Sequence, residues 1–124
     1  MLIVEDDPDL RELLSEQLEA DGFRVAVIGD GAMALDYLTT ALHSNSEVDL
    51  PAVVVCDLAL PGSSGFEILS EILELTDLDV IAMTAYGDPH VHTRARQLGA
   101  TLSLDKPLDM MSLRAAVHVL AARA

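Results

Sequence analysis

Short apolar runs alternate along the chain with longer stretches in which leucines recur three or four residues apart. The short runs are "LIV" at 2–4, "RVAVI" at 24–28, "AVVVC" at 52–56, "DVIAM" at 79–83 and "TLSL" at 101–104. Their length and aliphatic content predict five strands. "AVVVC" is apolar throughout, the pattern of a strand covered on both faces. A helix is predicted after each run. The first spans about 8–21 and carries Leu10, Leu13, Leu14 and Leu18 on one face. The second carries Leu35, Leu38 and Leu42, and the third Leu69, Ile72 and Leu73. The fourth ends near Leu98, and the last carries Leu113, Ala116, Val117 and Leu120.

Punctuation between the runs supports these boundaries. Asp7 followed by Pro8 is a cap and a first helical residue, and Gly22 suits the helix stop. Asp88-Pro89 repeats the start signal, with Gly99 as its stop. "GDG" at 29–31 reads as a turn, while "HSNSEVDLP" at 43–51 and "PGSSG" at 61–65 read as polar loops. A (βα) unit repeated five times implies an α/β fold, with a parallel sheet, helices on both faces and right-handed crossovers. The 124 residues suit one domain, 1–124, without linker, repeat or low-complexity segment.

Charge narrows the function. Seven basic residues face 21 acidic ones, for a formal net charge of -14. Such a surface repels phosphates, so direct nucleic acid binding by this domain is not expected, nor is attachment to an anionic membrane. No apolar run approaches the roughly 18 residues of a membrane span. The N-terminus lacks the basic-then-apolar pattern of a signal peptide. Cys56 is the only cysteine, which rules out an intramolecular disulfide and reads as core. A cytoplasmic location is expected.

In a parallel sheet, ligands bind at the carboxyl ends of the strands, near the switch in strand order. Glu5 and Asp6 follow the first predicted strand, Asp57 the third, Thr84 the fourth, and Asp105 and Lys106 the fifth. Carboxylates about 5–6 Å apart repel by about 3 kcal/mol per pair at an effective dielectric of about 20. Either their pKa values rise or a cation sits among them. An all-oxygen set suits a hard ion such as Mg2+. Lys106, the only lysine, offers a compact charge for a phosphate oxygen, and Thr84 a hydroxyl donor. Together these are the parts for phosphoryl transfer onto an aspartate.

"IVEDD" at 3–7, "CDLALPGSSGFE" at 56–67, "MTAYGD" at 83–88 and "LDKPL" at 104–108, in this order, resemble the response-regulator receiver domains of two-component signalling. The resemblance covers essentially the whole chain. It implies a flavodoxin-like (βα)5 three-layer sandwich with strand order 2-1-3-4-5. It implies Asp57 as phosphoacceptor, and a Mg2+ (or Mn2+) site of Glu5, Asp6, Asp57 and the Ala59 backbone carbonyl. It gives Thr84 and Lys106 the phosphoryl-stabilising roles, and Pro107 a cis peptide on its N-terminal side. The implied partner is a sensor histidine kinase or a histidine phosphotransfer protein. The implied output is through the face of the fourth helix, fifth strand and fifth helix, to an effector domain, another partner or a second copy. No effector segment is expected after the fifth helix. Such a domain catalyses only its own phosphorylation and dephosphorylation.

The chain departs from the family pattern at Ser103, where the family usually has the Tyr or Phe of its switch. Ala59 and Tyr86 occupy positions that tune phosphoryl lifetime in the family. Two other readings stay open: a degenerate receiver that serves as an interaction module, and a metal-dependent phosphatase. Against the phosphatase, Ala59 stands where a second acid would protonate a leaving group. A flavodoxin-like cofactor binder would need a first loop that cradles phosphate, and "EDDPD" repels it. His90 and His92, two residues apart, do not share a helical face, so a zinc site is not expected there. His43 and His118 read as surface or boundary residues. Arg94, Arg96 and Arg114 read as a basic strip on the last two helices, either a partner face or a solvated one.

Overall fold

The computed structural model describes residues 1–43, 49–60, 65–85 and 89–123. The elements run β1 (Leu2–Val4), α1 (Pro8–Ala20), β2 (Ala26–Ile28), α2 (Gly31–Ala41), β3 (Val53–Asp57), α3 (Gly65–Leu75), β4 (Asp79–Thr84), α4 (Pro89–Leu98), β5 (Leu102–Asp105) and α5 (Met110–Arg123). Every strand pair is parallel, and the sheet order is β2-β1-β3-β4-β5. This is the flavodoxin-like arrangement. Tyr86, Asp88 and most of the loops 43–51 and 61–65 lie outside the described residues.

Alternation along the strands builds two cores. Leu2, Val4, Val54, Cys56, Val80 and Ala82 face α2, α3 and Ala95 of α4. Ile3, Val53, Val55, Ile81 and Met83 face α1 and α5. Successive strand residues point to opposite faces, so a continuous apolar strand serves both cores at once. β3 is buried at all five positions, whereas the edge strands β2 and β5 are partly exposed.

Two apolar positions depart from the sequence reading. Leu13 is 43% exposed and Leu42 45%, although their spacing put them on the inner faces. Leu14, Leu18 and Leu38 carry those faces instead, helped by a half-buried Leu10 and Leu35. The strand boundaries also shift. β2 shortens to three residues because β1, its sole neighbour among the described residues, has three to pair with it. β3, β4 and β5 each run one residue further than their apolar runs, so Asp57, Thr84 and Asp105 belong to the ladder. Beyond them, the Leu58 N–H donates to Met83 O at 2.9 Å and the Lys106 N–H to Thr84 O at 2.7 Å.

The starts of the helices fix where the loops leave the sheet. Asp7 accepts from the Asp9 N–H at 3.0 Å, with Pro8 as the first helical residue. Asp30, read from sequence as turn chemistry, caps α2 by accepting from Met33 N–H at 3.0 Å. Asp109 does the same for α5 through the Met111 and Ser112 amides. Gly22 and Gly99 adopt φ of 94° and 119° after α1 and α4, a left-handed turn that a side chain would strain. Among the described residues, no helix is long and apolar enough to cross a membrane.

Candidate functional site

The strand order reverses between β1 and β3, and their carboxyl ends open a crevice there. Val4 pairs in register with Cys56, so Glu5 and Asp57 emerge side by side. Glu5 is still tied to the sheet, its N–H donating to Ile28 O at 2.9 Å. Ligand atoms of Glu5, Asp6 and Asp57 lie within 4.8 Å of one another. Glu5 is fully buried, Asp57 is 2% exposed, and Asp6 stands at the solvent edge.

Lys106 reaches in from the end of β5 and joins the two buried acids. Its Nζ donates to Glu5 Oε1 at 2.5 Å and to Asp57 Oδ2 at 2.9 Å. Asp57 Oδ1 accepts from the Ala59 N–H at 2.9 Å, so both carboxylate oxygens are oriented. Glu5 Oε2 accepts from the Asp6 N–H at 3.1 Å. Thr84 closes the neighbouring strand end, one residue beyond the register partner of Asp57, and is 7% exposed. The Lys106–Pro107 peptide is cis. Gly65 seats the return of the chain behind Asp57: a Cβ there would lie 1.8 Å from Leu58 O.

Charge is shared unequally. Burial, reinforced by the hydrogen bond and the negative charge of Asp57, pushes the Glu5 carboxyl up to about 7. Burial also acts to raise Asp57, but hydrogen bonds with Glu5, the Ala59 amide and Lys106 outweigh it and hold that carboxyl below its ordinary value. Burial disfavours the Lys106 ammonium, and its hydrogen bonds to Glu5 and Asp57 overcome this and raise its pKa. Asp57 is therefore the buried acid of the pair whose surroundings favour the ionised form, with both of its oxygens oriented. Next door, burial pushes the Cys56 thiol up to about 12, which makes it an inert core residue.

The donor set fits a hard divalent cation: three carboxylates, no nitrogen or sulfur, and one ligand exposed to admit water. The structure brings together Glu5, Asp6, Asp57 and Lys106, with Ala59, Thr84 and Pro107 around them. Ser103 lies apart from this cluster. Its hydroxyl meets His92 Nδ1 at 2.5 Å, and His92 Nε2 meets Asp105 Oδ1 at 2.6 Å. The sequence reading set His92 aside. Its partners are 11 and 13 residues away on another element, so no spacing rule could have found them.

The three arginines read as a strip do not form one. Arg94 lies over the Phe66 ring of α3, 4.2 Å from its centroid, while Arg114 forks onto Asp21 at the end of α1. α4 and α5 pack on opposite faces of the sheet, which separates their basic side chains.

Residues 1–118 match the sequence model of the response regulator receiver domain. The chain is 33% identical over 118 residues to sporulation initiation phosphotransferase F of Bacillus subtilis, covering 94% of this chain and 89% of that protein. It is 30% identical to the transcriptional regulatory protein KdpE of Staphylococcus aureus, covering 97% of this chain and 48% of that protein. The signal receiver domain of a LuxO repressor protein from Vibrio parahaemolyticus superposes with a TM-score of 0.86 at 25% identity, over 98% of this chain and 88% of that one.

Proposed function

The chain belongs to the response regulator receiver domain family of two-component systems, and from that premise we propose that residues 1–124 act as one receiver domain whose Asp57 accepts a phosphoryl group. The observation that carries this reading is the Lys106 ammonium set between Glu5 and Asp57, with Asp6 at the rim. It supports a nucleophile, a cation site and a charge-neutralising amine in one crevice.

The donor is a phosphohistidine on a sensor histidine kinase or a histidine phosphotransfer protein. A carboxylate oxygen of Asp57 forms a bond to phosphorus as the phosphorus–nitrogen bond breaks. The electron pair leaves on the imidazole nitrogen, which takes up a proton. A Mg2+ or Mn2+ ion held by Glu5, Asp6, Asp57 and the Ala59 carbonyl would supply charge neutralisation at the phosphoryl oxygens. Lys106 is already held at the crevice, and its ammonium turns from the carboxylates to the incoming oxygens. Thr84 offers its hydroxyl from the adjacent strand end. Water later returns the group as phosphate, so the domain is a signalling module acting on itself.

Phosphorylation then shifts a population between two arrangements of the α4–β5–α5 face, which an effector domain, another partner or a second copy would read. The setting is the cytoplasm, and this acidic domain itself contacts neither nucleic acid nor membrane. Incubation with Mg2+ and a small acyl phosphate, read by intact mass, tests the reaction. The wild-type chain should gain one phosphoryl group, while Asp57→Ala and a chelator should each abolish the gain. No gain by wild type, or an equal gain by Asp57→Ala, would overturn the reading.

A further inference from the structure

α4 is weakly founded. Of its ten residues only Ala95 is buried, and Leu98 at its end is 37% exposed. Helices with few buried apolar contacts are the ones that shift or open first. One polar side chain compensates. The imidazole of His92, 16% exposed, bridges α4 to β5 through Ser103 at 2.5 Å and Asp105 at 2.6 Å. Ser103 and Asp105 are two apart on the strand and so share its face, which lets one ring meet both.

The chemistry of the three groups makes this a firm connection. A carboxylate only accepts, so His92 Nε2 donates to Asp105. Nδ1 then accepts from the Ser103 hydroxyl in the neutral ring, or donates to that oxygen in the imidazolium. Both contacts therefore hold in either charge state. The strand end they grip is joined to the site: Asp105 pairs in register with Thr84, and the next amide, Lys106 N–H, donates to Thr84 O at 2.7 Å.

We propose that His92 is a positioning residue that ties α4 to β5 in the resting chain and sets how readily α4 answers events at Asp57. The proposal rests on the phosphoacceptor reading above. The tie occupies Ser103, so a motion of the Thr84–Lys106 strand end reaches α4 through an imidazole. Phosphorylation turns the Lys106 ammonium onto the phosphoryl oxygens and draws Thr84 toward them, moves Asp105 with that strand end, and parts the tie.

Hydrogen exchange and ring nitrogen NMR on the full chain test this, before and after a small acyl phosphate with Mg2+. In the resting chain, His92→Ala should raise exchange of the α4 amides by about tenfold while α1 and α5 stay unchanged, and should speed phosphoryl gain severalfold by removing a restraint on the responsive state. Ser103→Ala, which deletes only a hydroxyl, should move both readouts the same way by less, and stands in should His92→Ala fold poorly. The His92 ring signals of wild type should shift on phosphoryl gain. Unchanged α4 exchange, an unchanged phosphorylation rate, or unmoved ring signals in a phosphorylated wild-type chain would each overturn the tie alone. No phosphoryl gain by wild type would instead overturn the function proposed for Asp57.

Discussion

α4 and α5 lie on opposite faces of the same sheet and are held in opposite ways. α5 buries Leu113, Val117 and Leu120 against α1 and the middle strands. Full burial of one such side chain contributes about 1.5–3 kcal/mol. A polar seam adds direction: Arg114 donates to both Asp21 oxygens, at 2.8 and 2.5 Å, and the His118 ring lies 5.0 Å from that of Phe23. α4 buries one alanine and relies on the His92 bridge and on Arg94 over Phe66. One helix is thus a foundation and the other an adjustable part. The hydrophobic effect is non-directional and hard to reset, whereas a few hydrogen bonds can exchange partners at little net cost.

Truncation gives the largest expected effect. Leu113→Ala should lower unfolding free energy by about 3 kcal/mol, by loss of burial and by the cavity left behind. Val91→Ala, at a half-buried position of the largely exposed α4, should cost under about 1 kcal/mol. Urea unfolding measures both, and equal costs would break the comparison.

Acidity offers a second cut, because the site and the α5 seam respond with opposite sign. The Glu5 carboxyl is raised from 4.5 to about 7, so the folded chain binds more protons than the unfolded one between those values. Its contribution is complete below 4.5 and is lost as pH rises through about 7. Without divalent cation, the urea midpoint of wild type should therefore fall across that window relative to Glu5→Gln. Parallel profiles for the two chains would contradict the shared buried charge.

The smallest effect is at the seam. The hydrogen bonds from Arg114, opposed by burial and aided by His118, hold the Asp21 carboxyl down to about 2. That stabilisation is present above 3.8 and is lost as pH falls through about 2. Arg114→Ala should lower the thermal midpoint slightly near neutrality, and the difference from wild type should vanish in strong acid. A difference that persists there would mean that Arg114 acts through packing of its stem.

Much of the architecture was legible beforehand because it rests on periodicity. β3 announced itself through the continuous apolar run at 52–56, and Asp7-Pro8 marked the start of α1 through local capping chemistry. The failures have two causes. Leu13 and Leu42 have the right spacing for burial, but the reach of the neighbouring strands and helices decides which leucine is covered. The ends of β3, β4 and β5 were placed one residue early because Asp57, Thr84 and Asp105 are polar, and polarity reads as loop even where the ladder continues.

The sequence by itself determined the (βα) alternation, the two-faced strands and the gathering of Glu5, Asp6, Asp57, Thr84 and Lys106 at the carboxyl ends of the strands. Local hydrogen bonding and side-chain period are properties of neighbours in the chain, so they can be read from neighbours. Tertiary structure alone decided that Lys106 bridges Glu5 and Asp57, that Glu5 rather than Asp57 has the raised carboxyl, that the arginines part company, and that His92 grips Ser103 and Asp105. Those outcomes depend on distance and burial between residues up to 101 positions apart, which no local pattern encodes.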